Sequence, residues 1–516
     1  MQLTQTLRRT AQIFPRRTAT VFGERRRSWS ETANRVARLA GGIGAMGVEP
    51  GDRVMVLASN SDRYIETVFA VLWAGGVVVP ANTRWAPAEH AYALQDCAPA
   101  LFMVDQDFVE MARKLPGVEP GRTIYMGDDA QAGLASYESL IADNAPLADR
   151  AGQGQDMACI MYTGGTTGFP KGVMLSHDNL TMATMSFALE CPYEQDTVFL
   201  HVAPMFHLAA MSSMLSYTAA GATQVIAPRF DPALVCNLIA TEKVNMTLMV
   251  PTMIDFVDRY LQAVPTDMRS LRKMIYGAAP ISEALLQRLM KSLPHVQLYQ
   301  GYGQTEMAGG VVVLRPEFHA LEGPNARLLR AAGRSSPATE IRIVDEKMNE
   351  VPRGTVGEIA ARGPTVMLGY WNKPEQTRAA IVDGWLRSGD AARMDDDGFI
   401  FIVDRMKDMI VSGGENVFSA EVENALSRHP AVLECAVIGI PHAQWGEAVH
   451  AELRLRDGVE VDEEALNAHC AELIANYKRP RSYNFRKEPM PLSAAGKILK
   501  NELRKPYWEG RERHIA

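Results

Sequence analysis

The chain has 516 residues, which is too long for one compact hydrophobic core and predicts at least two domains. A formal net charge of -7 and a sequence pI near 5.9 argue against a dedicated nucleic-acid binder or anionic-membrane binder. The six cysteines are scattered without a Cys-x-x-Cys pair, so neither a zinc site nor a disulfide framework is expected.

Neither the N-terminus nor any apolar run predicts a membrane protein. Four arginines precede the first acidic residue, Glu24, which hints at a transit peptide, but the apolar core of a secretory signal is missing. The longest apolar run, from Val68 to Ala81, contains two glycines and a proline. It is shorter than the roughly 20 residues that a membrane helix needs. We therefore expect a cytoplasmic protein without a transmembrane segment.

Helices and strands alternate through the first part of the chain. Apolar residues have helical spacing over 30–47, and a buried strand is predicted at 54–58. A second helix at 64–73 precedes a strand at 77–80. This alternation predicts a parallel sheet covered by helices. Further strands are predicted at 157–162, 198–202, 223–226, 247–250, 274–276 and 298–300, with helices from about Asn179 and after the capping residue Ser282.

Beyond residue 335 the pattern changes to short strands separated by Gly/Pro turns, such as 340–345 and 357–361, which predicts a small β-rich subdomain. In the last segment Ser419 is predicted to cap a helix to Arg428, followed by strands at 435–438 and 449–453 and a helix at 463–475. The predicted fold class is therefore α/β. A large N-terminal domain, residues 1–404, has helix-covered sheets and the β-rich subdomain, and an α+β C-terminal domain spans residues 405–516.

The most distinctive stretch is a loop rich in glycine and threonine that follows the predicted strand at 157–162. Glycines let backbone N–H groups approach a ligand, hydroxyls add donors, and a lysine adds charge, a combination that cradles a polyphosphate. The common NTPase loop is excluded, because Pro170 precedes Lys171 and Gly172 follows it. A plain turn between strands is the alternative. The predicted phosphate-binding residues are Thr163, Gly164, Gly165, Thr166, Thr167, Gly168 and Lys171.

Four more strings carry candidate chemistry, although each alone is also compatible with an ordinary turn, helix start or surface lysine. They are Gly301-Tyr-Gly-Gln-Thr-Glu306, Gly384-Trp-Leu-Arg-Ser-Gly-Asp390, Asp404-Arg-Met-Lys-Asp408 and Leu492-Ser-Ala-Ala-Gly-Lys-Ile-Leu499. Together with the glycine-rich loop, their order and spacing resemble the adenylate-forming superfamily of acyl-CoA synthetases, luciferases and peptide-synthetase adenylation domains. The resemblance covers essentially the whole chain and implies ATP, Mg²⁺ and coenzyme A.

The resemblance implies a nucleotide site. Tyr302 would stack on adenine, Thr305 would contact the α-phosphate, and Glu306 would help to hold Mg²⁺. These roles suit a flat apolar ring, a hydroxyl donor and a hard oxygen ligand. The resemblance also places Gly277, Ala278 and Ala279 beside the adenine, Asp390 on the ribose hydroxyls, and Arg405 on the ribose or a phosphate.

The resemblance further implies that the C-terminal domain is mobile and turns about Lys407 between two poses. In one pose Gly413 and Gly414 would line the pantetheine tunnel, since glycines let a thin thiol arm pass close to the backbone. In the other pose Lys497 would enter the active site and stabilise negative charge on the carboxylate and the α-phosphate.

Three other residues of this domain are candidates for binding coenzyme A. Trp445 resembles a residue that packs on pantetheine in some acyl- and aryl-CoA ligases, and a core tryptophan is the alternative. Lys478 and Arg479 would meet the CoA phosphates, with a solvated basic face as the alternative.

The resemblance implies that the stretches around His207 and Met307 line the acyl pocket. It places His207 beside the substrate carboxylate as a catalytic or gating residue. The pocket residues are His207, Met211, Gly301, Met307, Ala308 and Gly309. A pocket without charge suits a fatty or aromatic tail, whereas malonate would need an arginine and an amino acid would need an acidic partner.

The leading prediction is an AMP-forming acyl-CoA synthetase for a hydrophobic acid, medium- or long-chain fatty. An aryl or arylpropenoic acid of the ferulate or benzoate type is the alternative, and loading of a carrier protein is another. A non-catalytic adenylate-binding protein is disfavoured by the intact Lys171, Glu306, Asp390, Arg405 and Lys497. The expected partners are a small carboxylic acid, ATP and CoA, with no nucleic acid; the oligomeric state stays open, with a homodimer among the alternatives.

Overall fold

The structure, a computed structural model, describes residues 1–163, 170–493 and 498–509. The predicted site residues Gly164, Gly165, Thr166, Thr167, Gly168 and Lys497 lie outside the described residues. Up to the glycine-rich loop the elements are α1 (Thr4–Ile13), β1 (Thr18–Phe22), β2 (Arg25–Ser28), α2 (Trp29–Ala45), β3 (Arg53–Leu57), α3 (Asp62–Trp73), β4 (Val77–Pro80), α4 (Pro87–Cys97), β5 (Leu101–Val104), α5 (Val109–Ala112), β6 (Thr123–Tyr125), β7 (Ala135–Ser136), α6 (Tyr137–Asp143) and β8 (Met157–Thr163).

The middle of the chain repeats the alternation of strand and helix. Its elements are β9 (Lys171–Ser176), α7 (His177–Glu190), β10 (Val198–His201), α8 (Leu208–Ala220), β11 (Thr223–Ile226), α9 (Pro232–Thr241), β12 (Met246–Met249), α10 (Pro251–Ala263), β13 (Lys273–Gly277), α11 (Glu283–Ser292), β14 (Gln297–Gln304), β15 (Gly309–Leu314) and β16 (Arg334–Ser335). Short 3₁₀ turns include Thr305–Met307, which directly follows β14.

The last part of the described chain is richer in strands. Its elements are β17 (Glu340–Val344), β18 (Gly357–Arg362), β19 (Gly369–Tyr370), α12 (Pro374–Ala380), β20 (Ile381–Val382), β21 (Trp385–Met394), β22 (Ile400–Arg405), β23 (Ile410–Ser412), β24 (Glu415–Val417), α13 (Ser419–Ser427), β25 (Val432–His442), β26 (Gly446–Leu455), α14 (Glu463–Ala471), β27 (Ser482–Arg486) and α15 (Lys500–Trp508).

Two large, mainly parallel sheets form the first part of the molecule. The eight-stranded sheet has the order β19-β9-β8-β4-β3-β5-β6-β7, and the nine-stranded sheet has the order β16-β15-β14-β13-β12-β10-β11-β1-β2. Their central strands are apolar and buried because helices cover the sheets. Local caps fix the helix starts: Ser28 and Glu31 form a capping box on α2, and Ser61 accepts from the Tyr64 amide at the start of α3.

Two smaller sheets complete the fold. One has the order β17-β18-β21-β20 with β22 on β21, and it is the predicted β-rich subdomain. The other has the order β24-β23-β26-β25 with β27 on β26, and it packs with α13 and α14 around Val437, Val449 and Leu466. The predicted fold class is confirmed. The prediction that the chain divides into separate domains at residues 404 and 405 stays a prediction.

The structure corrects three details of the predicted elements. The side chain of Ser419 does not cap α13: Ser419 is the first helical residue, and its hydroxyl donates to Asp404 instead. The two predicted C-terminal strands are longer, because β25 and β26 form a continuous antiparallel hairpin closed at His442 and Gly446. The strand predicted at 298–300 is also longer, because Gly301 to Gln304 pair with β15 and extend β14 to Gln304.

The described residues contain no helix that is both long enough and apolar enough to cross a membrane. All six cysteine thiols are free, as expected from their spacing, and five of them are buried. The apolar run from Val68 to Ala81 forms the buried end of α3 and the strand β4, as predicted.

Candidate active site

The ends of the glycine-rich loop are held by a hairpin. Thr163, the last residue of β8, pairs with Lys171, the first residue of β9. The Lys171 ammonium lies 5.1 Å from the centroid of the Tyr370 ring, a cation–π contact. Tyr370 belongs to β19, which pairs with β9 on its other side. The lysine is therefore positioned by two neighbouring strands of one sheet.

Tyr370 connects this lysine to the predicted metal-binding carboxylate. Its hydroxyl donates to Glu306 Oε1 at 3.0 Å, and the Met367 amide donates to the Glu306 carbonyl at 2.9 Å. Burial, and then the Glu306 charge, raises the pKa of Tyr370, so the phenol stays a neutral donor. Thr305, the predicted α-phosphate contact, precedes Glu306 in the same 3₁₀ turn.

The residues fit a magnesium ion that is shared with a nucleotide. Among the residues that the structure describes, no cluster of three or more His, Cys, Asp or Glu side chains can hold a metal ion by itself. Mg²⁺ usually binds one or two protein carboxylates together with substrate phosphates and water. The carboxylate of Glu306, close to the hairpin of β8 and β9, suits this mode of binding.

The two predicted ribose residues form an ion pair, and the predicted adenine-stacking residue, Tyr302, is hydrogen-bonded to one of them. The Tyr302 hydroxyl donates to Asp390 Oδ2 at 2.8 Å, and Arg405 Nε lies 3.4 Å from Asp390 Oδ1. Asp390 and Arg405 are direct partners across β21 and β22. Burial, and then the Asp390 charge, raises the pKa of Tyr302. A carboxylate offers about four lone-pair directions, so Asp390 still has acceptor capacity for two ribose hydroxyls.

The predicted adenine loop follows β13 at the carboxyl end of the parallel sheet. Gly277 pairs with Gly301 of β14, and a Cβ on Gly277 would lie only 2.1 Å from the Gly301 carbonyl oxygen. Ala278 has a left-handed backbone with φ 62° and is exposed. These small residues leave the backbone of the loop open to a flat base. Ligands of open α/β sheets bind at this end of the strands.

The predicted acyl-pocket residues fall into two groups. Met211, Met307 and Ala308 are fully buried and pack in the core of the molecule. His207 is the N-cap residue of α8, and its ring lies 4.4 Å from that of Phe206.

The glycines form the other group, and two residues that the sequence analysis does not name lie against them. Phe187 of α7 covers the glycine surface: its Cε2 atom would lie 3.7 Å from a Cβ on Gly301 and 3.4 Å from one on Gly310. Ser212 of α8 faces Gly309 in the same way: its Oγ atom would lie 3.3 Å from a Cβ on Gly309. The position of Ser212 directly after Met211 could have suggested it. No sequence pattern points to Phe187, which is distant from Gly301 and Gly310 along the chain.

The predicted pivot lies in a buried polar cluster. Asp404 accepts hydrogen bonds from the amide and the hydroxyl of Ser419 across the pivot, and Lys500 donates to the same hydroxyl at 2.6 Å. Asp408 pairs with Arg504 at 3.2 Å. Burial, and then the Arg405 charge, lowers the pKa of Lys407.

The predicted CoA residues of the C-terminal part lie around one turn. Gly413 and Gly414 form the exposed turn between β23 and β24, with left-handed φ angles of 62° and 86°. The Gly413 amide donates to the Trp445 carbonyl at 2.9 Å. The Trp445 ring is half-buried and stacks on His442 at 4.3 Å, with the Arg481 guanidinium 5.3 Å from its centroid. Trp445 is therefore not a core tryptophan.

The two predicted phosphate-binding residues have local partners. Lys478 donates to both Glu421 oxygens at 2.8 Å, which compensates its charge. Arg479 bonds only neutral Asn476 among the contacts that the structure describes. Of these two residues, Arg479 is therefore the better candidate for binding an anion, because its described partner is neutral.

Two contacts join the C-terminal part to the large sheets. Arg84 Nη1 donates to the Ser493 carbonyl at 3.2 Å, four residues before Lys497 in the chain. Arg428, just after α13, pairs with Glu283 at 2.8 Å, and Glu283 also pairs with Arg330 at 3.0 Å. Ser493 thus lies against the large part of the molecule, whereas the Gly413 turn faces solvent.

Comparison with known proteins agrees with this geometry. Residues 7–371 match the AMP-binding enzyme family and residues 421–497 match the AMP-binding enzyme C-terminal domain. Feruloyl-CoA synthase of Amycolatopsis sp is 38% identical over 501 residues, covering 97% of this chain and 98% of that protein. A fatty acid–[acyl-carrier-protein] ligase of Streptomyces coeruleorubidus is 33% identical over 523 residues, covering 99% and 98%. The structure of o-succinylbenzoate CoA synthetase from Bacillus subtilis, in complex with its acyl-adenylate intermediate, aligns with a TM-score of 0.84 at 30% identity, covering 96% and 97%.

The chain belongs to the AMP-binding enzyme family, the adenylate-forming enzymes. Within it, this protein is an acyl- or aryl-CoA synthetase, an AMP-forming acid–thiol ligase that uses ATP, Mg²⁺ and coenzyme A. The predicted superfamily, enzyme class and cofactors are confirmed. The roles of the individual site residues stay predictions.

Proposed function

We propose that the enzyme activates an aromatic carboxylic acid of arylpropenoic size and transfers its acyl group to coenzyme A. The observation that carries this choice is the position of Phe187, whose ring covers the glycine surface formed by Gly301 and Gly310. Aromatic rings favour offset-stacked or edge-to-face packing against one another, so such a wall suits a planar substrate tail. The 38% identity to a feruloyl-CoA synthase supports the same choice.

The buried residues also favour a short tail over a long alkyl chain. Met211, Met307 and Ala308 are at most 1% exposed and pack into the core, where density leaves little room for a continuing tunnel. A medium- or long-chain fatty acid is the second candidate, and a carrier protein is the second candidate for the acceptor. The 33% identity to a fatty acid–[acyl-carrier-protein] ligase supports both of these alternatives.

The proposed reaction has two halves. In the first half, a carboxylate oxygen attacks the α-phosphorus of ATP, which gives acyl-AMP and releases pyrophosphate. Lys171, Thr305 and Lys497 would stabilise the negative charge that accumulates on the phosphates. In the second half, the CoA thiolate attacks the acyl carbon and AMP leaves. Glu306 would help to hold Mg²⁺, which would supply charge neutralisation at the phosphates.

We propose that the structure has the pose of the first half-reaction. The contact between Arg84 and Ser493 supports this, because it brings Ser493, which precedes Lys497 by four residues in the chain, against the large part of the molecule. The exposed turn at Gly413 and Gly414 would line the pantetheine path only after rotation about Lys407, a hinge motion in which a few residues absorb the backbone change.

The test is to assay a panel of acids. For each acid, pyrophosphate release with ATP and thioester formation with CoA or with a carrier protein are measured. We expect phenylpropenoic and substituted benzoic acids to give the highest kcat/KM, and CoA to be the better acceptor. Fatty acids of increasing length separate the second candidate from the first. A best substrate that is a long-chain fatty acid, a dicarboxylate or an amino acid would contradict the proposal.

A further inference from the structure

One hydroxyl in the candidate acyl pocket lacks a hydrogen-bond partner among the described residues. It is the Oγ of Ser212 on α8, and the atom is buried. Ser212 directly follows Met211, a predicted pocket residue, and neither the proposed nucleotide site nor the proposed CoA site uses it. Buried polar groups in native proteins are nearly always hydrogen-bonded, so an exception needs an explanation.

The neighbouring serine shows what an ordinary hydroxyl does on this helix. Ser213 Oγ donates to the Ala209 carbonyl at 2.9 Å, the usual bond of a helical serine to the residue one turn earlier. Ser212 Oγ points elsewhere, towards β15, where it would lie 3.3 Å from a Cβ on Gly309. Because glycine has no Cβ, Gly309 places no side chain against this hydroxyl.

The neighbour of the Ser212 hydroxyl that the structure shows, Gly309, has no polar side chain to offer. The next residue of β15, Gly310, has none either, and it faces the hydrocarbon ring of Phe187. A hydrocarbon tail in this pocket would leave the Ser212 hydroxyl desolvated without a partner, which is unfavourable. A tail that carries an oxygen would satisfy it.

We propose that Ser212 is a specificity-determining residue that hydrogen-bonds an oxygen substituent on the ring of the acid. This inference rests on the proposed function and narrows it: the substrate is an aromatic acid with a ring hydroxyl or alkoxy group. A site that hydrogen-bonds a substrate group rejects the analogue that lacks this group, because its own polar atom is then left without a partner.

The experiment compares Ser212→Thr with Ser212→Val, two substitutions that add nearly the same bulk and differ in the hydroxyl. Ser213→Ala is the control on the same helix. For each protein, kcat/KM for pyrophosphate release is measured with phenylpropenoic acids that carry a hydroxyl or methoxy group at each ring position and with the unsubstituted acid. The wild type should prefer the best oxygen-bearing acid by roughly three- to tenfold.

Ser212→Thr and Ser213→Ala should keep this preference, and Ser212→Val should reduce it to about one. If Ser212→Val keeps the full preference, or if the wild type has none, the role of Ser212 is refuted while aryl activation still stands. If no aromatic acid releases pyrophosphate at all, the proposed function fails and this inference fails with it. Circular dichroism and ATP binding verify that each variant is folded.

Discussion

The nucleotide side and the acyl side of the candidate site differ in how their polar groups are satisfied. On the nucleotide side, Asp390 accepts from Tyr302 and pairs with Arg405, and Glu306 accepts from Tyr370. On the acyl side, glycines and a phenylalanine form the walls, and Ser212 has a buried hydroxyl with no partner among the described residues. The first region is held rigid before a ligand arrives, whereas the second is completed by its ligand.

This difference follows from what each region has to recognise. Every acid is activated with the same nucleotide, so preorganised donors and acceptors cost nothing in specificity and lower the reorganisation needed in the transition state. The acid varies between enzymes of this kind. Where a surface is made of glycines, each replacement of a glycine by alanine adds a methyl group and changes the shape of that surface. We therefore expect substitutions on the nucleotide side to affect all acids equally, and those on the acyl side to change the ranking of acids.

The largest effect is expected from Lys497→Ala. Loss of a charge that stabilises the transition state should lower the rate of acyl-AMP formation by roughly 100- to 1,000-fold for every acid alike. Thioester formation from pre-made acyl-AMP and CoA should change far less. Separate assays of the two half-reactions measure this. An equal loss in both halves would contradict the assignment of Lys497 to adenylation only.

A smaller effect is expected from Asp390→Asn. The substitution removes the charged acceptor shared by Tyr302 and Arg405, and hydrogen bonds to charged groups are worth more than neutral ones. The kcat/KM for ATP should fall by roughly 10- to 100-fold, while the ranking of acids stays the same. Steady-state kinetics with two acids of different size checks this. A changed ranking would show that the two sides are not independent.

The smallest effect is expected from Gly310→Ala. Its added Cβ would contact Phe187 at 3.4 Å and remove space for the tail. One methyl group is worth about 0.8 kcal/mol, so the kcat/KM ratio of a bulky acid to a small one should fall by roughly fourfold, with no change in the KM for ATP. Gly121→Ala is the matched control, because nothing lies within 4 Å of its added Cβ. An unchanged ratio would remove Gly310 from the pocket wall.

The sequence predicts the nucleotide side better than the acyl side. Tyr302, Glu306, Asp390 and Arg405 lie in short strings whose chemistry is local, and the structure brings Tyr302, Asp390 and Arg405 into direct contact. Tyr370 was missed, because a tyrosine in a two-residue strand has no local signal, although it connects Lys171 to Glu306.

The acyl side depends on packing between distant segments, which a pattern of residue types does not encode. Phe187 meets Gly301 and Gly310 only because α7 packs against β15. The same holds for the fold: the alternation of helix and strand predicts parallel sheets, but not which strand is neighbour to which, as with β1 beside β11. Predicted strand ends also fell short where long-range pairing, rather than apolar pattern, extends the hairpin of β25 and β26.

The first turn of α13 is capped by a residue on the other side of the proposed pivot. Its N-cap residue, Phe418, has no side-chain acceptor, and Asp404, on the other side of Lys407, supplies the acceptor instead. If the C-terminal part turns about Lys407 as proposed, the helix loses a cap worth about 1 kcal/mol, which holds the molecule in its present pose by roughly fivefold. The cap from Asp404 would then favour the present pose, which is the one proposed for the reaction of ATP with the acid. The C-terminal part would turn towards the CoA-binding pose only when the adenylate makes that turn favourable.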